Sequence, residues 1–151
     1  MHTVLVTGGA GFIGSNFVLY MLNTYPDMII INLDKLTYAG NLDSLAGVMS
    51  NPRHIFVRGG IEDRSLVEYM LINYHPRAVI NFAAESHVDR SILSAAEFVR
   101  TNVLGTQVLL DAAREKRVRR FLYISTDKVG GSIPPGQYFR EDSPGGMLPP
   151  T

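Results

Sequence analysis

The sequence predicts an α/β protein built on a doubly wound parallel sheet. Short apolar runs rich in β-branched residues recur along the chain, and segments in which apolar residues have helical spacing separate them. Such runs are typical of strands that are buried on both faces of a parallel sheet. The resulting order, β-α-β-loop-β-α-β-α-β, is that of a doubly wound fold.

Five strands and three helices are predicted. The strands are expected at residues 3–7, 28–33, 55–57, 78–84 and 121–124. Helical spacing extends from Phe12 to Thr24, and Asp63 is placed to cap a second helix over Leu66 to Tyr74. The longest helical pattern runs from about Ile92 to Lys116, and its apolar residues fall on more than one face, which predicts burial on more than one side. Residues 130–151 hold five of the eight prolines without periodicity, which predicts a loop.

Composition excludes several classes of protein. The 151 residues are 46% hydrophobic and 19% charged, with 14 basic and 14 acidic side chains, so one globular domain without a polyanionic partner is expected. The absence of cysteine excludes disulfide scaffolds and cysteine-type metal sites, and we predict no metal site. Neither a secretory signal nor a long apolar stretch is present, which favours a cytoplasmic protein that does not bind membranes or nucleic acid.

A glycine-rich segment lies between the first strand and the first helix. Residues 7–14 read TGGAGFIG, which fits GxxGxxG from Gly8, Gly11 and Gly14, and also GxGxxG from Gly9. In a strand-to-helix turn, such glycines permit a tight bend, the approach of backbone amides to a diphosphate, and close packing of the helix. The alternative is an ordinary glycine-rich turn. The flanking strand and helix favour dinucleotide binding.

Asp34 closes the second predicted strand twenty residues after Gly14. A carboxylate at this point is placed to accept hydrogen bonds from both hydroxyls of a ribose, and it would repel a 2′-phosphate. The sequence therefore favours NAD over NADP as the cofactor. Lys35 stands next to it and could offset that repulsion.

Two longer segments extend these observations to a family resemblance. Residues 34–41 read DKLTYAGN and residues 83–91 read AAESHVDRS, and residues 101–106 and 125–127 continue the match. The chain resembles the extended short-chain dehydrogenase/reductases, and within them the dTDP-glucose 4,6-dehydratases. The resemblance covers residues 3 to about 129 and implies a Rossmann-type, NAD(P)-binding fold. The family enzyme is considerably longer, so we expect residues 1–151 to be an incomplete dinucleotide-binding domain without the C-terminal substrate domain.

The resemblance implies a lyase that uses bound NAD to convert dTDP-glucose into the 4-keto-6-deoxy sugar. It implies catalytic positions for Thr126, which helps polarise the C4 oxygen, and Asp127, the general acid, and substrate contacts for Ser86 and His87. Without the motif, Thr126 and Asp127 would be interpreted as turn caps, and His87 would be interpreted as a surface histidine. The implied cofactor contacts are Gly8, Gly11, Phe12, Ile13, Gly14, Asp34, Lys35, Thr37, Ala39, Gly40, Ile61, Ala83, Ala84 and Thr101.

The sequence departs from the family at four points. No Tyr-x-x-x-Lys motif occurs, and Lys128 stands at the position of the family's glutamate base. An ammonium group with a pKa of about 10.4 is a poor base at neutral pH. Gly130 replaces a tyrosine, and Gly60 stands where the family has an aspartate that hydrogen-bonds adenine. We therefore expect the isolated chain to be inactive.

Other functions stay open at this point. The chain is also compatible with a non-catalytic nucleotide-binding protein, or with another enzyme of the extended family such as an epimerase. The resemblance further implies a dTDP-hexose substrate and a homodimer for the parent protein, with the long helix in the dimer interface. The alternative role of that helix is to cover the sheet.

Overall fold

The computed structural model describes residues 2–86, 95–126, 136 and 138–142. Its five strands are β1 (His2–Thr7), β2 (Met28–Asp34), β3 (His54–Arg58), β4 (Ala78–Asn81) and β5 (Arg120–Tyr123). They form one parallel sheet in the order β3-β2-β1-β4-β5. The direction of strand progression reverses between β1 and β4, which confirms the predicted doubly wound fold.

The helical elements are α1 (Phe12–Thr24), a 3₁₀ helix (Leu42–Val48), α2 (Arg64–Tyr74), α3 (Ala95–Phe98), a π-helical segment (Val99–Gly105) and α4 (Thr106–Glu115). The predicted bounds of α1 are confirmed. Asp63 caps α2 as predicted, because its Oδ1 accepts a hydrogen bond of 3.0 Å from the amide of Leu66. None of the helices described is long and apolar enough to cross a lipid bilayer.

Three expectations were wrong in detail. β4 ends at Asn81 instead of residue 84, because the chain after Phe82 turns toward the glycine segment instead of pairing with β5. The 3₁₀ helix was not predicted; it begins where the Asn41 side chain accepts a hydrogen bond from the Asp43 amide. The long helix is not regular, since a π-helical segment separates α3 from α4.

The sheet separates two apolar clusters. On one side α2 and α4 cover Leu5 and Leu33, and on the other α1 and the 3₁₀ helix cover Val4 and Val6. Successive side chains of β1 thus enter opposite clusters, as expected for a strand buried on both faces. This double cover fixes the carboxyl edge of the sheet, where the loops after β1, β2, β3 and β4 meet.

A histidine is buried at the start of β3. The His54 side chain lies next to Asn32, with 3.2 Å between Nε2 and the amide nitrogen Nδ2. Burial lowers the pKa of His54 and outweighs an opposing effect of the Val48 carbonyl. The folded chain therefore favours the neutral imidazole.

We predict that this histidine makes the folded state less stable in acid. The unfolded chain takes up a proton near pH 6.5, while the folded chain resists it, so stability is complete above that pH and falls as the pH is lowered through it. In urea unfolding between pH 7.5 and 5.5, His54→Gln should reduce the loss of stability on acidification. The exposed His2→Gln is the control and should leave that loss unchanged; equal losses in wild type and His54→Gln would contradict the prediction.

Candidate functional site

The glycine segment after β1 brings three backbone segments into close contact. Gly8 has φ of +71°, a conformation that favours glycine, and its amide donates to the Leu33 carbonyl at 2.9 Å. A Cβ on Gly8 would lie 2.5 Å from the backbone nitrogen of Ala83, and a Cβ on Gly14 would collide with the Gly8 carbonyl oxygen. The glycines at these two positions therefore let the loop, the exit of β4 and α1 pack directly on one another.

The start of α1 faces the cleft without a side-chain cap. Gly11 is the N-cap residue, and no acidic side chain stands in the first turn. Among the described residues beyond its chain neighbours, the Gly8 carbonyl oxygen would lie nearest to a Cβ on Gly11, at 3.3 Å. Amides of the first helical turn have no partner within the helix, and the helix dipole adds positive potential. This end of α1 is therefore suited to a diphosphate.

Asp34 lies at the end of β2 and is 8% exposed. Its Oδ2 accepts a hydrogen bond from the Ala10 amide at 2.8 Å, and its Oδ1 accepts one from the Leu36 amide at 2.8 Å. A carboxylate offers about four acceptor positions. Two therefore stay available for hydroxyl groups of a ligand while the other two hold the backbone.

Charged side chains form a small network beside Asp34. Lys35 Nζ lies 2.6 Å from Glu62 Oε1 and 3.5 Å from Glu97 Oε2, and Arg100 Nε lies 3.7 Å from Glu62 Oε1. The hydrogen bond to Glu62 raises the pKa of Lys35. Burial alone would raise the pKa of Glu62, but the hydrogen bond from Lys35, a hydrogen bond from its own backbone amide, and the charges of Lys35 and Arg100 together lower it. Both members of the pair are therefore charged at neutral pH.

The loop after β4 is joined to the π-helical segment by a pair of hydrogen bonds. The Glu85 amide donates to Asn102 Oδ1, and Asn102 Nδ2 donates to the Glu85 carbonyl, both at 2.8 Å. This pair sets Ala83 and Ala84 opposite Thr101, which is 9% exposed. The π-helical segment also approaches the loop after β3, where a Cβ on Gly105 would lie 2.5 Å from Cγ1 of Ile61.

Together these segments enclose a cleft of about 540 Å³, open solvent included. Eleven residues that the sequence predicted as cofactor contacts line it, namely Gly8, Gly11, Asp34, Lys35, Thr37, Ala39, Gly40, Ile61, Ala83, Ala84 and Thr101. The lining residues that were not predicted as contacts are Leu33, Gly59, Gly60, Glu62 and Phe82.

Other predicted positions lie away from the walls of the cleft. Phe12 and Ile13 begin α1, and they are 86% and 63% exposed. At these two positions we expect the backbone amides, and not the side chains, to contact a ligand. Gly14 acts through packing of the helix. Ser86 and Thr126 are exposed and do not line the cleft.

The remaining predicted residues fall outside the described part of the chain. These are His87, Asp127, Lys128 and Gly130. Their roles stay predictions. The sequence analysis missed Glu62, because no local pattern links it to Lys35. Its place two positions after Gly60, where the family's aspartate is missing, was the signal that could have identified it.

Comparison with known proteins matches the chain, over residues 5–147, to the family described as GDP-mannose 4,6 dehydratase. The chain is 57% identical to the low-salt glycan biosynthesis protein Agl12 of Haloferax volcanii, over 93% of this chain and 44% of that protein. It is 49% identical to a dTDP-glucose 4,6-dehydratase of Xanthomonas campestris, over 95% of this chain and 43% of that enzyme.

A solved structure agrees with these sequence matches. The dTDP-glucose 4,6-dehydratase of Bacillus anthracis, crystallised in complex with NAD, aligns with a TM-score of 0.88 and 39% identity, over 99% of this chain and 46% of that enzyme. The chain thus spans less than half the length of these relatives, and the resemblance to dTDP-glucose 4,6-dehydratases is confirmed. With the match covering nearly the whole sequence, the chain belongs to the GDP-mannose 4,6-dehydratase family.

Proposed function

We propose that residues 1–151 form the NAD-binding part of a nucleotide-sugar 4,6-dehydratase whose substrate is a dTDP-hexose. The observation that supports this most is the hydrogen bond of 2.8 Å between the Ala10 amide and Asp34 Oδ2. It fixes an acceptor for ribose hydroxyls directly beside the uncapped start of α1. Diphosphate and sugar recognition thus meet in one cleft, and the match to an NAD-bound dehydratase supports the same cofactor.

Asp34 and Lys35 favour NAD over NADP in this proposal. A 2′-phosphate would face the Asp34 carboxylate, which is held in place by two backbone amides. Lys35 is already engaged by Glu62 and Glu97, so its charge is compensated within the network. The charge of Lys35 is therefore not available to offset the repulsion between Asp34 and a 2′-phosphate.

Bound NAD would supply a hydride acceptor and donor for the sugar. The residues of this chain would bind and orient the dinucleotide, since the described cleft contains no base positioned for the hexose and the sequence contains no Tyr-x-x-x-Lys motif. We accordingly assign dehydration of the hexose to the whole protein. The test is formation of a 4-keto-6-deoxy sugar from dTDP-glucose by a protein that contains this chain together with a substrate-binding part.

We further propose a homodimer of the parent protein. The long helix was expected to be buried on more than one side, but Val99, Val103, Leu104 and Leu110 are 58%, 61%, 47% and 47% exposed in this chain. Apolar side chains clustered on one element favour a protein partner. The proposal is that a second copy covers this face.

Calorimetric titration of this chain tests cofactor binding. We expect NAD to bind at least about tenfold more tightly than NADP, and Asp34→Asn to reduce both the NAD affinity and this preference, because the hydroxyl acceptor loses its charge. Asp43→Asn, at an exposed position of the 3₁₀ helix, is the matched control and should bind as wild type does. Absence of heat with either dinucleotide would contradict the proposed function.

Two glycine substitutions separate binding from folding. Gly11→Ala should weaken NAD binding by about tenfold or more and cost less stability than Gly14→Ala, because its Cβ enters the diphosphate site and meets the Gly8 carbonyl oxygen at 3.3 Å, a tight contact that a small shift can relieve. Gly14→Ala should cost about 1–3 kcal/mol of stability, because its Cβ collides with the Gly8 carbonyl. Calorimetry and thermal unfolding measure the two effects. The same response from both variants would contradict the assignment.

Sedimentation equilibrium tests the dimer. Val103→Glu should weaken self-association of the chain, because it places a charge on the exposed apolar face. Ile72→Glu is the control, since Ile72 is 48% exposed on α2. A wild-type chain that stays monomeric at high concentration would argue against the proposal.

A further inference from the structure

Lys35 is paired with two carboxylates that differ greatly in exposure. Its Nζ lies 2.6 Å from Glu62 Oε1 and 3.5 Å from Glu97 Oε2. The Glu62 side chain is 9% exposed, whereas the Glu97 side chain is 48% exposed. An exposed ion pair contributes little because water and salt screen both charges, while a short contact to a largely buried carboxylate is screened much less. Glu62 is therefore the partner that fixes the position of Lys35.

The two members of the Lys35–Glu62 pair do not depend on each other equally. The Lys35 side chain is 40% exposed and has a flexible four-carbon stem, so its ammonium group can move into solvent. The Glu62 carboxylate is confined in the cleft wall, where a Cβ on Gly60 would lie 2.5 Å from its Cδ. A buried ion that loses its partner is strongly destabilising. Separation of the pair is therefore costly mainly because of Glu62.

The other groups near Glu62 would replace Lys35 only in part. Arg100 Nε lies 3.7 Å from Oε1, which is beyond hydrogen-bond distance, and the Arg100 side chain is 59% exposed. The backbone amide of Glu62 also donates to the carboxylate, but it carries no full charge. Lys35 thus supplies most of the charge that compensates Glu62.

Lys35 is also the cation that a 2′-phosphate would attract. It follows Asp34 in the chain, and both residues line the cleft. Dinucleotide sites that accept a 2′-phosphate place a cation close to the ribose. Because Asp34 is the proposed acceptor for the ribose hydroxyls, Lys35 could serve such a phosphate only by leaving Glu62.

We infer that Glu62 is a positioning residue that selects against NADP by holding Lys35 away from the ribose site. This inference rests on the proposed NAD site. NADP can recruit Lys35 only if Glu62 stays buried and ionised without its main partner, whereas NAD makes no demand on Lys35. The preference for NAD is thus divided between Asp34, which repels the phosphate, and Glu62, which withholds the cation. In this role Glu62 acts through Lys35 and touches neither dinucleotide.

Calorimetric titration of the 151-residue chain with NAD and NADP tests this role. Glu62→Gln keeps the shape of the side chain and removes its charge. It should tighten NADP binding by about tenfold, the lower end for a hydrogen bond to a charged group, and change the NAD affinity by less than about threefold. Glu62→Met, which also removes the acceptor at similar volume, should act in the same direction. A merely structural role would weaken the binding of both dinucleotides.

Two controls assign the effect to the pair. In a Lys35→Met background, Glu62→Gln should give no gain in NADP affinity, because the cation that it releases is absent. Glu97→Gln removes the same charge from the exposed partner of Lys35, and it should change the NADP affinity by less than about twofold.

The outcomes separate this inference from the function on which it rests. An unchanged NADP affinity in Glu62→Gln overturns the inference, and so does an equal gain in the absence of Lys35 or a loss of NAD binding in both Glu62 variants. Equal binding of NAD and NADP by wild type also overturns it and leaves the NAD site intact. Failure of wild type to bind NAD at all overturns the proposed function itself.

Discussion

The buried carboxylate of Asp34 connects the parts of the cleft to one another. Its two oxygens accept hydrogen bonds from Ala10, in the glycine segment, and from Leu36, in the loop after β2. These bonds fix the distance between the start of α1 and the end of β2, which belong to different elements. An ionised acceptor holds amides more firmly than a neutral one. The same charge also determines which sugar groups the cleft accepts.

Close backbone packing and a balanced charge network complete this arrangement. Gly8 and Gly14 allow contacts among β1, β4 and α1 that any side chain would prevent. Lys35, which the sequence places beside Asp34, turns instead to Glu62. The cleft therefore presents helix amides to an anion and the Asp34 carboxylate to hydrogen-bond donors, while Lys35 and Arg100 are paired with Glu62.

Much of the fold and part of the site could be predicted from local pattern. The bounds of α1 follow from helical spacing that begins after Gly11 and ends before Pro26, and both signals lie within one segment. Asp34 was placed in the site because it closes a predicted strand after the glycine motif, and Ala83 was placed there by the family resemblance. The exit of β4 was misjudged, because an apolar run shows no sign of where pairing stops.

By itself the sequence determined the alternation of strands and helices, the glycine turn and the position of Asp34, since each depends on residues close together in the chain. Only the tertiary structure decided that Lys35 pairs with Glu62, 27 residues away, and that Glu62 Oε2 is left buried beside Gly60. It also decided which apolar face of the long helix stays exposed. These features depend on how distant segments pack, and apolar periodicity holds no information about which charged side chains will meet.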